Sequence, residues 1–260
     1  MAPTYDSYLM LDRLLDLQRP LSHPEEHDEL MFIILHQIHE LWFKLLLREC
    51  KKAGTGLSAG DLDEAIATFG RMGAIMKTLA GQFHVLETMT PLSFLSFRDR
   101  LGSASGLQSA QFRELEFVLG YKRPEMLHHH PAGSLRRKEL ARGLNEPSLV
   151  DRFYDFLEGQ GVEIPATLRN QPPAQPNRPD GAIQHALVRL YKEKSDVGRL
   201  LEAMMDFDEG FQAWRYRHVK MVERVIGDKR GTGGTSGVAY LKATLFRPVF
   251  PDLWAIRHGM

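Results

Sequence analysis

The chain has 260 residues, 43% of them hydrophobic, which is enough to bury a core in one large domain or two small ones. Its 33 basic residues equal its 33 acidic residues, so no broad positive field would attract a nucleic-acid backbone or an anionic membrane. Cys50 is the one cysteine, which excludes an internal disulfide, a multi-cysteine zinc site, an iron–sulfur cluster and the attachment motif of a c-type haem.

The start of the chain lacks a signal-peptide pattern, and we find no apolar run that approaches the roughly 18 residues of a membrane span. These features predict a cytoplasmic protein. The spacing of apolar residues predicts an all-α, bundle-like fold in a single domain over residues 1–260, with a few long and several short helices. The predicted helices are 5–18, 25–52, 61–88, 107–119, 134–143, 147–159 and 183–226, the last of which can break near residues 195–198. Residues 54–60 and the proline-rich segment 165–182 are predicted to be loops within the fold.

The predicted helix 25–52 has apolar residues over more than half of its surface, which is typical of a central helix. Within it, Phe32 and His36 stand one turn apart on one face. A histidine in this setting is more often a hydrogen-bonded core residue than a ligand, so His36 alone leaves both readings open. The neighbouring His39 and Glu40 do not indicate a di-iron site, because such a bundle requires two Glu-x-x-His pairs and this chain has a single one.

Residues 211–237 join an amphipathic helix to a loop, GTGGTSG, that has four glycines in seven residues. On the helix, His218 shares a face with Trp214 and other aromatic and thioether side chains that suit a flat apolar cofactor. The loop lacks the Gly-Lys-Ser/Thr ending of a P-loop and follows a helix, which argues against nucleotide binding. Its amides and Thr232 can instead close over a small polar ligand. We predict that His218 faces His36 across a cofactor, the alternative being two ordinary core histidines.

Arg98 follows a run of apolar residues that includes Phe94 and Phe97. An arginine in this position usually lies at the surface with its stem buried. The alternative is a guanidinium fork that binds a carboxylate, a geometry in which arginine is better than lysine.

Five segments of the chain together resemble the tryptophan 2,3-dioxygenase family: HDELMFIILHQIHELWFKLLLRE, SFRDRLGSASGLQSAQFRELEF, EPSLVDRFYDFL, WRYRHVKMVERVIGDKRGTGGTSGVAYLKATL and FPDLWAIR. They cover nearly the whole chain and occur in the family's order. The resemblance implies an all-helical haem dioxygenase domain that binds haem b non-covalently and is active with ferrous iron. It also implies the reaction, in which both atoms of dioxygen are inserted across the indole C2–C3 bond of L-tryptophan to give N-formyl-L-kynurenine, the first step of the kynurenine pathway.

The resemblance implies a role for each motif. His218 is implied to be the axial ligand of the haem iron, and His36 the distal catalytic histidine that hydrogen-bonds the indole N–H. Arg98 is implied to bind the substrate carboxylate, and Thr232 the amino-acid end of the substrate. The other implied substrate contacts are Phe32, Ile33, Ile34, Leu35 and Phe94, with Tyr5, Tyr8 and Leu9 from a neighbouring subunit. The other implied cofactor contacts are Trp214, Ser105 and Gly106.

The family also implies a homotetramer, a dimer of dimers, in which the N-terminal segment 1–20 packs on a neighbour. L-tryptophan and dioxygen are the implied partners, with neither nucleic acid nor membrane. Two positions depart from the commoner pattern: Phe94 stands where some members have a tyrosine that helps to hold the carboxylate, and His39 where a tyrosine or a small residue is more usual. One alternative is a dioxygenase of the same fold that acts on a substituted indole in secondary metabolism. The other is a haem-binding or interaction protein without turnover.

Overall fold

The protein is described here by a computed structural model that covers residues 2–172, 175–227 and 229–260. Four residues lie outside these ranges. They are Met1 of the predicted N-terminal segment, Pro173 and Ala174 of the proline-rich segment, and Asp228 of the segment 211–237 that carries His218. All regular elements within the described ranges are helices, so the predicted all-α class is confirmed. The α-helices are α1 (Tyr5–Leu9), α2 (Leu11–Leu14), α3 (His27–Ala59), α4 (Leu62–Leu86), α5 (Pro91–Arg98), α6 (Ala110–Val118), α7 (Leu135–Gly143), α8 (Leu149–Gly159), α9 (Ala166–Arg169), α10 (Gly181–Glu193), α11 (Ser195–Ile226), α12 (Val238–Lys242) and α13 (Pro251–Ala255). Short 3-10 helices are Asp99–Leu101, Gly106–Gln108, Pro124–His129 and Ile256–His258.

Three long helices, α3, α4 and α11, form the scaffold that positions the site. The α4 helix packs along α11 on one side and along α3 on the other. Glycines allow the α4–α11 approach, because a Cβ at Gly210 would lie 3.0 Å from the Cβ of Met76. The neighbouring Gly73 faces the backbone of Phe207 in the same contact. Since α3 and α11 both pack on α4, the predicted histidine segments are carried on two helices with a common support.

The prediction of a loop at residues 54–60 is wrong, because α3 continues to Ala59 and turns at Gly60, where φ is 69°. Gly54 and Gly56 allow neighbouring helices to pack closely against α3. A Cβ at Gly54 would lie 3.3 Å from the Arg152 side chain of α8, and one at Gly56 would lie 3.3 Å from the backbone of Ala65 in α4. A glycine inside a helix costs about 1 kcal/mol, and the packing of α8 and α4 against α3 outweighs this local preference.

The N-terminal helix predicted at residues 5–18 is two short helices, α1 and α2. They meet at Met10, whose φ of 54° ends the first helix. The predicted break near residue 195 is confirmed, because Lys194 has extended backbone angles between α10 and α11. The proline-rich segment contains the short helix α9, and Asn177 ties its far end to the fold by donating to the carbonyls of Leu119 and Val249.

Among the described helices, α3 contains the one apolar window long enough to span a membrane. It contains an 18-residue window of mean hydropathy 1.4, of which 17% is buried, so by length and composition alone it could cross a membrane. The sequence-based expectation that no such run exists is therefore wrong, although central helices of soluble proteins meet the same criterion. Exposed apolar side chains on its open sides are Leu30, Ile34 and Leu41.

Candidate functional site

His36 lies on α3 against an aromatic wall. Its Nδ1 lies 2.7 Å from the carbonyl oxygen of Phe32, which can only accept, so Nδ1 is the donor and Nε2 carries the lone pair. The ring centroid of Phe32 is 4.0 Å from that of His36 and 5.8 Å from that of Phe94. Burial lowers the pKa of His36, which favours the neutral imidazole. The residue is nevertheless exposed, so its side chain is accessible to a ligand.

His218 lies on α11, beside two aromatic rings that also contact each other. Its ring is nearly parallel to that of Trp214, with centroids 5.5 Å apart and planes 9° apart, and it stacks on Phe83 at 5.8 Å. Burial, with the nearby His36 and His39 adding to it, lowers the pKa of His218 to about 3. The ring is therefore neutral and able to donate a lone pair to a metal. The side chain is partly exposed, and His36 is near enough to act on its pKa, so the structure brings His36 and His218 close together.

Two polar groups assigned by the resemblance lie where the glycine loop, residues 231–237, meets the body of the protein. Arg98 ends α5, one turn after Phe94, and its guanidinium donates to the backbone carbonyl of Arg230 at 2.6 Å. The hydroxyl of Thr232 donates to the carbonyl of Ala104 at 2.6 Å. Both side chains thus hold the glycine loop closed on the body of the protein. A guanidinium has five N–H donors, so Arg98 keeps free donors for a carboxylate.

Ser105 and Gly106 meet the same loop. The hydroxyl of Ser105 caps the 3-10 helix that starts at Gly106 by accepting from the Leu107 amide. Gly233 packs directly on Ser105, because a Cβ at Gly233 would lie 2.8 Å from the serine side chain. A side chain at position 233 would therefore push the loop away from the turn at residues 102–106.

The structure does not gather every residue that the resemblance named. Leu35 is buried in the core, and Ile34 lies on the side of α3 opposite Phe32, where it is exposed. Ile33 lies between these two directions and is half-buried. The N-terminal residues Tyr5, Tyr8 and Leu9 are 73%, 76% and 41% exposed and lie on α1, which packs on α2 within the chain.

Sequence reasoning assigned no role to a buried charge cluster centred on Glu116 of α6. One carboxylate oxygen accepts from Arg113 at 2.7 Å and from Arg123 at 2.6 Å, and the other accepts from Arg215 at 3.1 Å. Burial alone would raise the pKa of Glu116, but the three guanidiniums outweigh burial and hold it below its ordinary value. The signal in the sequence that could have indicated this buried ion pair is the i, i+3 spacing of Arg113 and Glu116 on one helical face among apolar residues.

The charge cluster adjoins the site through aromatic rings. The guanidinium of Arg113 lies 4.6 Å from the ring centroid of Phe112, and that of Arg215 lies 4.7 Å from the ring of Phe211. The Phe112 ring is in turn 5.1 Å from Trp214. The cluster therefore packs, through these rings, against α11, the helix that carries Trp214 and His218.

The fold and this site define a class: an all-α protein in which two long helices bring two neutral histidines close together. The family model described as tryptophan 2,3-dioxygenase matches residues 1–158 and 177–259. A tryptophan 2,3-dioxygenase of Herpetosiphon aurantiacus is 51% identical over 98% of this chain and 98% of the relative. A tryptophan 2,3-dioxygenase of Anaeromyxobacter sp. (strain K) is 48% identical over 100% of this chain and 97% of the relative. One of Pseudomonas fluorescens is 40% identical over 99% of this chain and 91% of the relative. The chain belongs to the tryptophan 2,3-dioxygenase family.

Membership of this family implies a haem cofactor, and the residues present fit one. His218 offers a neutral imidazole beside the flat rings of Trp214 and Phe83. In the part of the chain that the structure describes, no three His, Cys, Asp or Glu side chains form a cluster that would hold a bare metal ion. A single histidine is sufficient for haem, because the macrocycle supplies the other ligands of the iron.

Proposed function

We propose that this chain binds haem b non-covalently and, with ferrous iron, cleaves the indole C2–C3 bond of L-tryptophan to give N-formyl-L-kynurenine. Both atoms of one dioxygen molecule enter the product, so no external reductant is consumed. The reaction is the first step of the kynurenine pathway of tryptophan degradation. The observation that carries the proposal is the pair of neighbouring neutral histidines, His36 against Phe32 on α3 and His218 on α11. The names of the relatives support tryptophan over a substituted indole of secondary metabolism.

His218 is the residue proposed to hold the haem iron through one imidazole nitrogen. When bound, the haem supplies the iron at which dioxygen is activated. Trp214 and Phe83 keep the imidazole in place by stacking on it. Ser105 and Gly106 lie where the glycine loop meets the body of the protein, and we propose that they contact the cofactor there.

His36 is proposed to accept a hydrogen bond from the indole N–H of tryptophan. Its Nδ1–H donates to the Phe32 carbonyl, which leaves Nε2 as the acceptor and fixes the orientation of the imidazole. The rings of Phe32 and Phe94 provide an apolar wall for the indole. At the polar end of the substrate, Arg98 binds the carboxylate through the N–H donors that the Arg230 carbonyl leaves free, and Thr232 engages the amino-acid group.

The optical spectrum tests this proposal directly. We expect protein from haem-supplemented cells, once reduced, to show a histidine-ligated ferrous haem, and N-formylkynurenine absorbance to grow when L-tryptophan is added in air. The His218→Ala variant should lose the haem spectrum and the activity together, whereas replacement of the exposed His258 should change neither. Haem without product from tryptophan would contradict the proposed reaction, and a normal haem spectrum in His218→Ala would contradict the proposed ligand.

We place the enzyme in the cytoplasm and outside the membrane. Although α3 is apolar, its buried residues Leu35, Phe43 and Leu46 belong to the hydrophobic core, and the helix packs on α4, α6 and α8. This packing is that of a central helix in a globular core. The protein for the optical measurement should accordingly be recovered from the high-speed supernatant of cells lysed without detergent; sedimentation with the membranes would contradict this placement.

We further propose a homotetramer, arranged as a dimer of dimers of single-domain chains, in which the segment 1–20 completes a neighbour's pocket. The support is the large exposed apolar surface of α1 and α2, including Tyr5, Tyr8 and Leu15. The Tyr8→Ala variant should raise KM for tryptophan roughly three- to tenfold, as expected for the loss of one aromatic contact of about 0.5–1.5 kcal/mol, without changing haem content. Light scattering should give the mass of four chains. A monomeric enzyme with an unchanged KM in this variant would exclude the arrangement.

A further inference from the structure

His39 stands one turn beyond His36 on the same face of α3, yet the proposed reaction gives it no role. Its Nδ1 lies 2.8 Å from the carbonyl oxygen of Leu35, which can only accept. The proton of the neutral ring is therefore on Nδ1, and Nε2 is left as an acceptor. Nε2 is buried and has no hydrogen-bond partner among the described residues. A buried acceptor without a donor is unfavourable and calls for a partner.

The complementary group lies in the same aromatic cluster. The indole Nε1 of Trp214 is a donor, and it too is buried without a partner among the described residues. The ring centroids of His39 and Trp214 are 6.3 Å apart. Phe43 and Phe83 pack against both rings, at centroid distances between 5.5 and 6.1 Å. An unpaired acceptor and an unpaired donor are thus enclosed together in an apolar environment. They do not bond each other directly, and a single water between them would satisfy both.

We propose that one bridging water accepts from the Trp214 indole N–H and donates to His39 Nε2, and thereby fixes the indole against His218. The indole lies parallel to the His218 ring, one helical turn away, so its orientation limits the rotation of that imidazole. His39 is then a positioning residue, because it acts on His218 through Trp214. The effect on His218 rests on the proposed function, in which His218 holds the haem iron. The contact between His39 and Trp214 does not depend on that function.

The indole N–H signals test the hydrogen bond. The chain has three tryptophans, so ¹⁵N-tryptophan labelling gives three indole signals, of which Trp214→Phe identifies one. In the haem-loaded enzyme, His39→Phe, and His39→Leu as a second apolar variant, should move the Trp214 proton upfield. His39→Gln places an acceptor close to the position of Nε2 and should restore most of the shift. Trp254, whose indole donates to Asp208, should remain unchanged and report that each variant is folded.

The stretching frequency of the iron–histidine bond tests the effect on His218. In resonance Raman spectra of the ferrous enzyme, His39→Phe and Trp214→Phe should shift this band in the same direction, the double variant should add little to either, and His39→Gln should stay near wild type. An unmoved Trp214 signal in His39→Phe, or a His39→Gln variant that behaves like His39→Phe, would overturn the inference. Loss of the haem spectrum from the wild-type protein would instead overturn the proposed function, while the indole signals would still decide on the hydrogen bond.

Discussion

Replacing Glu116 by glutamine should lower the free energy of unfolding by about 3–5 kcal/mol, the usual consequence of removing one partner from a buried ion pair. The carboxylate is 2% exposed and is the acceptor for Arg113, Arg123 and Arg215, each of which is also buried. Without its negative charge, three guanidiniums would be left close together in a medium that solvates them poorly. Urea unfolding followed by circular dichroism, with haem content matched, measures this change.

Glu223→Gln is the matched control, because that carboxylate also accepts from two cations, Lys220 and Lys242, but at the surface. It should change the midpoint far less, since exposed ion pairs contribute little. An equal effect of the two substitutions would contradict the role given to burial. The pH dependence follows from the lowered pKa of Glu116: its contribution is fully present above the ordinary pKa of a glutamate and is lost only as pH falls through the lower folded value.

Replacing Arg98 by alanine should raise KM for L-tryptophan roughly thirtyfold or more. Truncating one partner of a buried charge pair in a binding site costs on the order of 2–5 kcal/mol, and each 1.4 kcal/mol corresponds to about a factor of ten. In the structure, the guanidinium lies at the end of α5 and donates to the Arg230 carbonyl in the loop that carries Thr232. The substitution therefore removes a carboxylate partner and one anchor of the loop.

A substrate without a carboxylate separates these two effects. If Arg98 binds the carboxylate, Arg98→Ala should weaken L-tryptophan strongly but leave any binding of tryptamine nearly unchanged. A loss that is equal for both ligands would mean that Arg98 acts only by holding the loop. Arg100→Ala is the control variant, because Arg100 is an exposed arginine two positions further along the chain, and it should leave KM unchanged. An unchanged KM in Arg98→Ala would remove its assigned role altogether.

Local sequence signals located most of the helices. Asp61, Ser134 and Ser148 accept hydrogen bonds from the first turns of α4, α7 and α8, and the predicted starts fall within about two residues of the observed ones. The helical repeat also placed Phe32 and His36 on one face of α3, and Trp214 and His218 on one face of α11. These features are set within a few residues of one another, so the sequence suffices to predict them.

The resemblance named the site residues, but it could not say what they contact in this chain. Arg98 and Thr232 both reach backbone carbonyls, of Arg230 and Ala104, that lie more than a hundred positions away along the sequence. His39 was noted only as a departure from the family pattern. Its unpaired nitrogen and its nearness to Trp214 depend on the packing of α3, α4 and α11 together.

The sequence by itself therefore determined the helical class, the faces that carry His36 and His218, and, through its motifs, the family. The tertiary structure decided that Gly54 and Gly56 are helical, that the segment 5–18 is two helices, and that Glu116 pairs with an arginine 99 positions away. The physical reason is the range of the interactions. Helix periodicity and capping act over one or two turns, whereas a close glycine contact or a buried ion pair exists only once distant segments have packed.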